Sequence, residues 1–392
     1  MSVSPPIARM SPERALHWLA LCLVPGLGPQ RIRTLLERYG APEAIFRASA
    51  SELEAAGAPP GPARSIAAGC TFDDALLQHE RVEREGVTLI GLRDPAYPPL
   101  LRAIHDPPVL LFAKGRLELL ASPMLAIVGT RRPTAYGRNV AERFAFDLAR
   151  AGLTVVSGMA RGVDTWAHEG ALKAGGATVA VFGAGLDHIY PAENRKLAEQ
   201  IAAEGLLLSE FPMGTPAHPQ NFPIRNRIIS GLSEGVLVVE GAQYSGSAIT
   251  AKMALEQQRE VFAVPGNVTS KMSWGPNLLI KQGATLVQEA SDVIEGLPKQ
   301  TRRRLAERRE EAGGEAVAEA DEGGQGSLPL GPAAEIQQWL LKLLRPDQAL
   351  HVDEILEKVE NYSSSETLAA LMELEVAGLI RQLPGRNFVK VW

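Results

Sequence analysis

Between residues 121 and 297 short apolar runs alternate with amphipathic stretches. The runs Met124–Val128, Leu153–Val156, Ala177–Phe182, Leu206–Leu208, Val236–Val239 and Val261–Val264 are almost wholly apolar and rich in valine and leucine. Strands covered on both faces read this way, whereas half-exposed strands alternate. Thr285–Val287 is a further short candidate. Between the runs, Asn139–Ala151, Asp164–Ala174, Glu193–Ala203, Ile224–Leu232 and Ser247–Gln258 carry apolar residues at helical spacing. Strand and helix in alternation predict an α/β fold, a doubly wound, extended Rossmann-like parallel sheet with right-handed crossovers.

The flanks follow other rules. Residues 1–80 read as helical. Within them Leu23–Tyr39, LVPGLGPQRIRTLLERY, predicts a helix ending at Pro25, a Gly-Leu-Gly hairpin and a second helix from Pro29 bearing Arg31, Arg33 and Arg38. Such a helix-hairpin-helix or SAM-like unit grips a DNA phosphate through hairpin amides, or serves only for packing. Residues 81–120 open a sheet domain spanning 81–297, with strands expected at Val87–Gly91 and Val109–Ala113 between proline-rich turns. Residues 298–332 run from basic to acidic to glycine-rich and read as a disordered linker, at least from Gly313 to Gly331. In 333–392, amphipathic Ala334–Leu344, Val352–Val359 and Ser365–Ala377 precede a hairpin of Leu379–Leu383 and Asn387–Val391, a winged-helix-like order. The would-be recognition helix has no lysine or arginine but has Glu366, Glu373 and Glu375. A major-groove reader needs cations, so protein binding or a capping role suits this unit better.

Composition narrows the class. The 392 residues are 45% hydrophobic and 22% charged with a net charge of −5, so any nucleic-acid site must be local. Cys22 and Cys70 form no CxxC pair, so neither zinc nor haem is indicated. The apolar run Ala15–Val24 is broken by His17 and followed by Pro-Gly-Leu-Gly, which fits a helix rather than a signal peptide. No run approaches the roughly 20 apolar residues of a membrane span, and a cytoplasmic protein is expected.

In open α/β sheets ligands sit beyond the carboxyl ends of the strands. Collecting those loops gives Gly129, Thr130, Arg131 and Arg132 after the first strand and Ser157, Gly158 and Arg161 after the second. Gln220, Asn221, Phe222, Arg225, Asn226 and Arg227 precede the fifth, and Tyr244, Ser245, Gly246 and Ser247 follow it. Arginines and helix N-termini both favour phosphate, and Phe222 either stacks on a base or plugs the core beneath the loop. Arg225 and Arg227 have Asp164, Glu210 and Glu240 as alternative partners, and Asp164 reads as an organiser that holds an arginine. His168 and His188 read as packing or polar surface residues.

Several chemistries have no counterpart. There is no GxxxxGK[ST], no GxGxxG after the first strand, no HExxH or other metal cluster and no GxSxG. Cations and donors without an evident general base point to binding rather than turnover, with no cofactor. An enzyme on a related sheet, such as a nucleotide phosphoribohydrolase, would need a catalytic glutamate in a PGGxGT-type loop. VVEGAQYSGSAIT offers Glu240 but lacks that loop. A third reading is a regulator whose C-terminal unit binds duplex DNA.

The strings AIVGTRRPTAYG, VVSGMARGVDTWAHEGAL, AVFGAGLDHIYPAENRKL, LLSEFPMGTPAHPQNFPIRNRIISGLSEGVLVVEGAQYSGSAITAKMALEQ and VFAVPGNV, running on to GPNLLIKQGA, resemble the DNA processing protein A (DprA, or Smf) family over about residues 85–290. The resemblance implies a dimeric, non-enzymatic protein with an extended Rossmann-like fold. Such a protein binds and protects single-stranded DNA and loads the recombinase RecA during natural transformation, with single-strand binding protein as a further partner. It also implies that Arg131 and Gln220–Arg227 contact DNA and that Phe222 is similar to a base-stacking aromatic. The chain departs from the family pattern in lacking a lysine near Ala217-His218-Pro219-Gln220, and at Pro276 and Gln258.

Overall fold

The computed structural model describes residues 10–243, 245–311, 332–346, 348–359, 362–376 and 378–391. Tyr244 and the stretch Gly313–Gly331 lie outside them. Its centre is a sheet of β1 (Thr88–Gly91), β2 (Leu110–Gly115), β3 (Met124–Val128), β4 (Thr154–Ser157), β5 (Thr178–Phe182), β6 (Leu206–Ser209), β7 (Gly235–Val238), β8 (Glu260–Ala263) and β9 (Thr285–Leu286). The strand order is β1-β2-β6-β5-β4-β3-β7-β8-β9. Strands β3 to β9 pair in parallel, while β2 runs antiparallel to both β1 and β6. The antiparallel edge is an addition to the expected parallel sheet.

β3 shows why its run is continuously apolar. Leu125 and Ile127 join a core with Val140, Phe144, Leu148 and Phe262 on one face. Met124, Ala126 and Val128 join a second core on the other, with Val156, Ile228 and Ile229. Successive side chains of a strand point to opposite faces, so covering both faces leaves no position for a polar residue. The second core continues into the N-terminal helices through Trp18, Leu19, Leu35 and Leu36.

In that helical part, Pro12–Cys22 ends earlier than the sequence suggests and Pro29–Tyr39 starts at the expected proline. Its arginines are turned to packing. Arg33 donates to the His105 carbonyl at 2.8 Å and Arg38 to the Ala55 carbonyl at 3.1 Å. The expected linker needs correction at its start, because Lys299–Glu311 is a helix. Leu305 and Thr301 are buried on it, and Arg304 donates to the Ala121 carbonyl at 2.8 Å. Leu305, an apolar residue within a basic run, is the local signal of this helix's buried face.

At the C-terminus, helices Pro332–Leu343, Val352–Lys358 and Ser364–Val376 surround β10 (Leu350–His351), β11 (Ile380–Leu383) and β12 (Asn387–Lys390), ordered β10-β12-β11 around their own core. Arg381 of β11 reaches the sheet domain, donating to Glu142 at 3.1 Å and Asn139 at 3.4 Å. Glu142 also pairs with Lys173. Arg381 is partly exposed, so the contact is worth at most about 1 kcal/mol. Arg381→Glu is expected to speed protease release of the unit by roughly fivefold, while leaving unfolding of the sheet domain unmoved. Equal release rates would show that the pair contributes nothing to docking.

Candidate nucleic-acid interface

From β3 the chain winds outward one way through β4, β5 and β6, and the other way from β7 through β8 and β9. The crevice where β3 and β7 part is the switch point at which such sheets bind ligands. An open cleft of about 470 Å³ lies there. Its walls include Gly129, Thr130, Arg131, Phe222, Arg225, Asn226, Ser245, Gly246 and Ser247, together with Asp164, Tyr190, Ile229 and Ile249.

Glu240, buried just past β7, shapes the first loop. Its backbone carbonyl accepts from the Thr130 N–H at 2.7 Å. Its carboxylate accepts from the Thr134 N–H at 2.9 Å and the Thr134 hydroxyl at 2.6 Å. Thr134 in turn caps the helix Ala135–Arg150 by accepting from the Gly137 N–H. A Cβ at Gly137 would lie 2.2 Å from the Glu240 Oε2, so any larger residue would have to displace the carboxylate that Thr134 holds. The Arg131-Arg132 turn is therefore fastened at both ends. Both arginines are exposed, and neither has an ion-pair partner among the described residues. The Arg131 guanidinium stands 5.3 Å from the centre of the Phe222 ring.

The remaining arginines differ. Arg225 is 3% exposed and donates to the carbonyls of Gly158 and Val181. Burial lowers its pKa to about 10, and the nearby Asp164 opposes that fall. Asp164 accepts from the N–H groups of Gly158 and Ala160, and burial raises its pKa against the pull of Arg225 and those bonds. It organises the loop after β4, but no direct ion pair to Arg225 forms. Arg225 thus lines the cleft as a fixed, mostly desolvated charge whose Nε has no partner.

Arg227 is a correction, since it does not line the cleft. Its Nη2 pairs with Glu210 at 2.7 Å and its Nε with Asp106 at 2.9 Å. Arg161, also off the cleft, pairs with Glu193 at 2.6 Å, both side chains being over half exposed. Ser157 is buried and donates to the Ile127 carbonyl, Gly158 is buried under the Arg225 guanidinium, and Asn221 is buried against the Pro216 carbonyl. Gln220 and Arg132 are exposed just outside the wall. The expected common rim is thus split between exposed loop arginines and buried structural ones.

Beyond β7, Ser245 caps the helix Gly246–Glu256 by accepting from the Ala248 N–H. Gly246 faces open space, so the first amides of this helix look into the cleft beside Arg131. Tyr190 was missed by the sequence reading. It ends the loop after β5, and the strand-end rule that selected the other loops would have found it.

The family model for DNA recombination-mediator protein A matches residues 88–298, and the DprA winged helix domain matches 327–386. The chain belongs to the DprA/Smf family. Protein Smf of Synechocystis is 34% identical, with 97% of this chain and 99% of the relative covered. The DNA processing protein DprA of Bacillus subtilis is 48% identical over 55% of this chain and 73% of its own length. The X-ray structure of DprA from Streptococcus pneumoniae superposes with a TM-score of 0.63 at 35% identity, over 74% of this chain and 99% of that one. The family therefore supports a role in DNA processing, and the C-terminal unit is a winged helix. Among the described residues no helix is long and apolar enough to cross a membrane, and no group of residues could hold a metal ion.

Proposed function

We propose that the cleft binds single-stranded DNA and that the protein is a cytoplasmic recombination mediator that loads RecA onto incoming strands, without catalysis. Single-strand binding protein is a further partner in this reading. A homodimer uses apolar surface late in the sheet domain, where Leu255 and Leu286 are exposed. The observation that carries the reading is the pair of uncompensated arginines, Arg131 and Arg132, beside an open helix N-terminus and an aromatic wall. Guanidiniums and helix amides take phosphates. Aromatic rings take bases only where these are not already stacked in a duplex, so unpaired strands are preferred.

The enzyme alternative is weakened by Glu240. Its carboxylate is buried and engaged by Thr134, which suits a cap rather than a base. Release of free base from nucleoside monophosphates would restore that alternative.

Arg131→Ala with Arg132→Ala is expected to weaken binding to a dT oligonucleotide by roughly 100-fold at moderate salt, two charge-assisted contacts being lost. The slope of log affinity against log salt should flatten by about 0.7 per lost phosphate contact. Fluorescence anisotropy against a salt series reads both. Equal affinity of the wild type for single strand and duplex, with no loss in the double variant, would end the reading.

A further inference from the structure

We propose that a second pocket, between the N-terminal helices and the β1–β2 connection, binds a carboxylate-rich segment of a partner protein. This open pocket of about 490 Å³ is lined by Arg33 and Glu37 of the helix Pro29–Tyr39, by Arg93 and Arg102 of the connection, and by apolar Leu36, Leu92 and Pro107. It shares no residue with the cleft beyond β3 and β7. Its cations are held by backbone carbonyls. The Arg102 Nε donates to Leu92 at 3.1 Å and its Nη2 to Asp94 at 2.7 Å and Tyr97 at 3.2 Å. Arg93 donates to the Gly40 carbonyl at 3.2 Å and Arg33 to that of His105 at 2.8 Å. Carbonyls orient a guanidinium without cancelling its charge. Arg93 and Arg102 are exposed and have no ion-pair partner among the described residues, whereas Arg33 meets Glu37 at 3.2 Å. The pocket thus sets three positive charges against one negative, on side chains already ordered before a ligand arrives.

Glu37 decides which anion fits. Its side chain is 61% exposed on the pocket wall. A run of phosphodiesters is repelled by it and has no N–H to offer it. An acidic peptide offers carboxylates to the guanidinium forks and backbone N–H groups to Glu37. No aromatic ring is among the lining residues, so unpaired bases have nothing to stack on, while Leu36, Leu92 and Pro107 give an apolar side chain a floor. The pocket also borders the framework of the cleft. Arg33 bonds the His105 carbonyl, and the next residue, Asp106, pairs with Arg227 of the helix Asn221–Leu232 that carries Phe222. A partner held here stands beside the cleft without occupying it.

The experiment uses the full chain and a fluorescein-labelled peptide of Asp-Asp-Leu repeats, with Asn-Asn-Leu repeats as the uncharged control. Wild type should bind the aspartate peptide at least about tenfold more tightly than the control. Arg93→Gln should weaken that binding by about 10- to 100-fold, a charge-assisted bond being lost, and leave the affinity for a dT oligonucleotide unchanged. Phenylglyoxal labelling of wild-type arginines, read by mass spectrometry, should slow at Arg93 and Arg102 when the aspartate peptide is present, which locates the contact even where the variant does not fold. Equal affinity for the two peptides, no loss in a folded Arg93→Gln chain, or protection confined to other arginines would overturn the proposal. So would displacement of the peptide by dT from a chain carrying Arg131→Ala and Arg132→Ala, since the pocket would then take nucleic acid instead.

Discussion

Glu210→Ala is expected to destabilise the sheet domain by about 3–5 kcal/mol, the loss typical of a buried ion pair deprived of one partner. The side chains of Arg227 and Glu210 are only 8% and 11% exposed, and they meet through two parallel bonds of 2.9 and 2.7 Å. Burial raises the pKa of Glu210 and the guanidinium pulls it back, so the carboxylate persists because Arg227 faces it. Removing the carboxylate leaves Arg227 in the same low-polarity site with Asp106, which is 43% exposed and a weaker counterion. The loss should therefore fall toward the lower end of the range. Arg227→Met combined with Glu210→Leu should recover much of it, since an apolar pair of similar volume carries no charge to desolvate. Urea unfolding of the single and double variants reads the difference. If the single variant were neutral, Arg227 would not depend on Glu210 and would be available to ligand after all.

This result bears on how one residue type serves two purposes in one loop system. Arg225 and Arg227 lie two apart in the helix Asn221–Leu232, and both are buried. Arg225 braces the loop after β4 by bonding the Gly158 carbonyl, while Arg227 braces β6 and the connector through Glu210 and Asp106. Arg131 and Arg132, exposed and without an ion-pair partner among the described residues, are left for solvent. In sequence all of these look alike. The fold was legible because burial on both faces writes itself into a strand as an unbroken apolar run, as in β3. The location of the cleft was legible because strand ends are fixed once the strands are. Which arginine meets which carboxylate was not, because Asp106 and Arg227 are brought together only by the antiparallel β1-β2 edge. That edge rests on pairing between distant segments, β2 with β6, which no local pattern encodes. Tyr190 was hidden differently. Its loop follows the third apolar run, after which no cleft residue is expected, and an aromatic between isoleucine and proline resembles core, so only its exposure separates the two uses.

A second large effect concerns His168, buried at 0% exposure in the helix Val163–Lys173 beneath the cleft. The Thr178 hydroxyl donates to the Val155 carbonyl at 2.8 Å, so toward the imidazole it can only accept, and Nδ1 carries the proton of the 2.7 Å bond between them. Nε2 is left buried without a partner. Burial, aided by the charge of Arg225, lowers the pKa from the ordinary 6.5 to about 3. Below 6.5 the unfolded chain takes up a proton that the folded chain refuses until about pH 3. Stability must then fall as pH falls through that window, by about 1.4 kcal/mol per unit and by roughly 5 kcal/mol in all. Above 6.5 the group contributes no slope, and below 3 both states are protonated and the slope ends. His168→Leu, of similar size, should remove this part of the acid dependence. Between pH 6 and 4 its stability should decline less steeply than that of wild type by about 1.4 kcal/mol per unit, whatever its stability at neutral pH. Parallel curves for the two proteins would mean that the imidazole finds a proton-accepting partner in the folded chain. The lone pair at Nε2 would then not be the isolated group that the packing of this helix against β4 and β5 makes it.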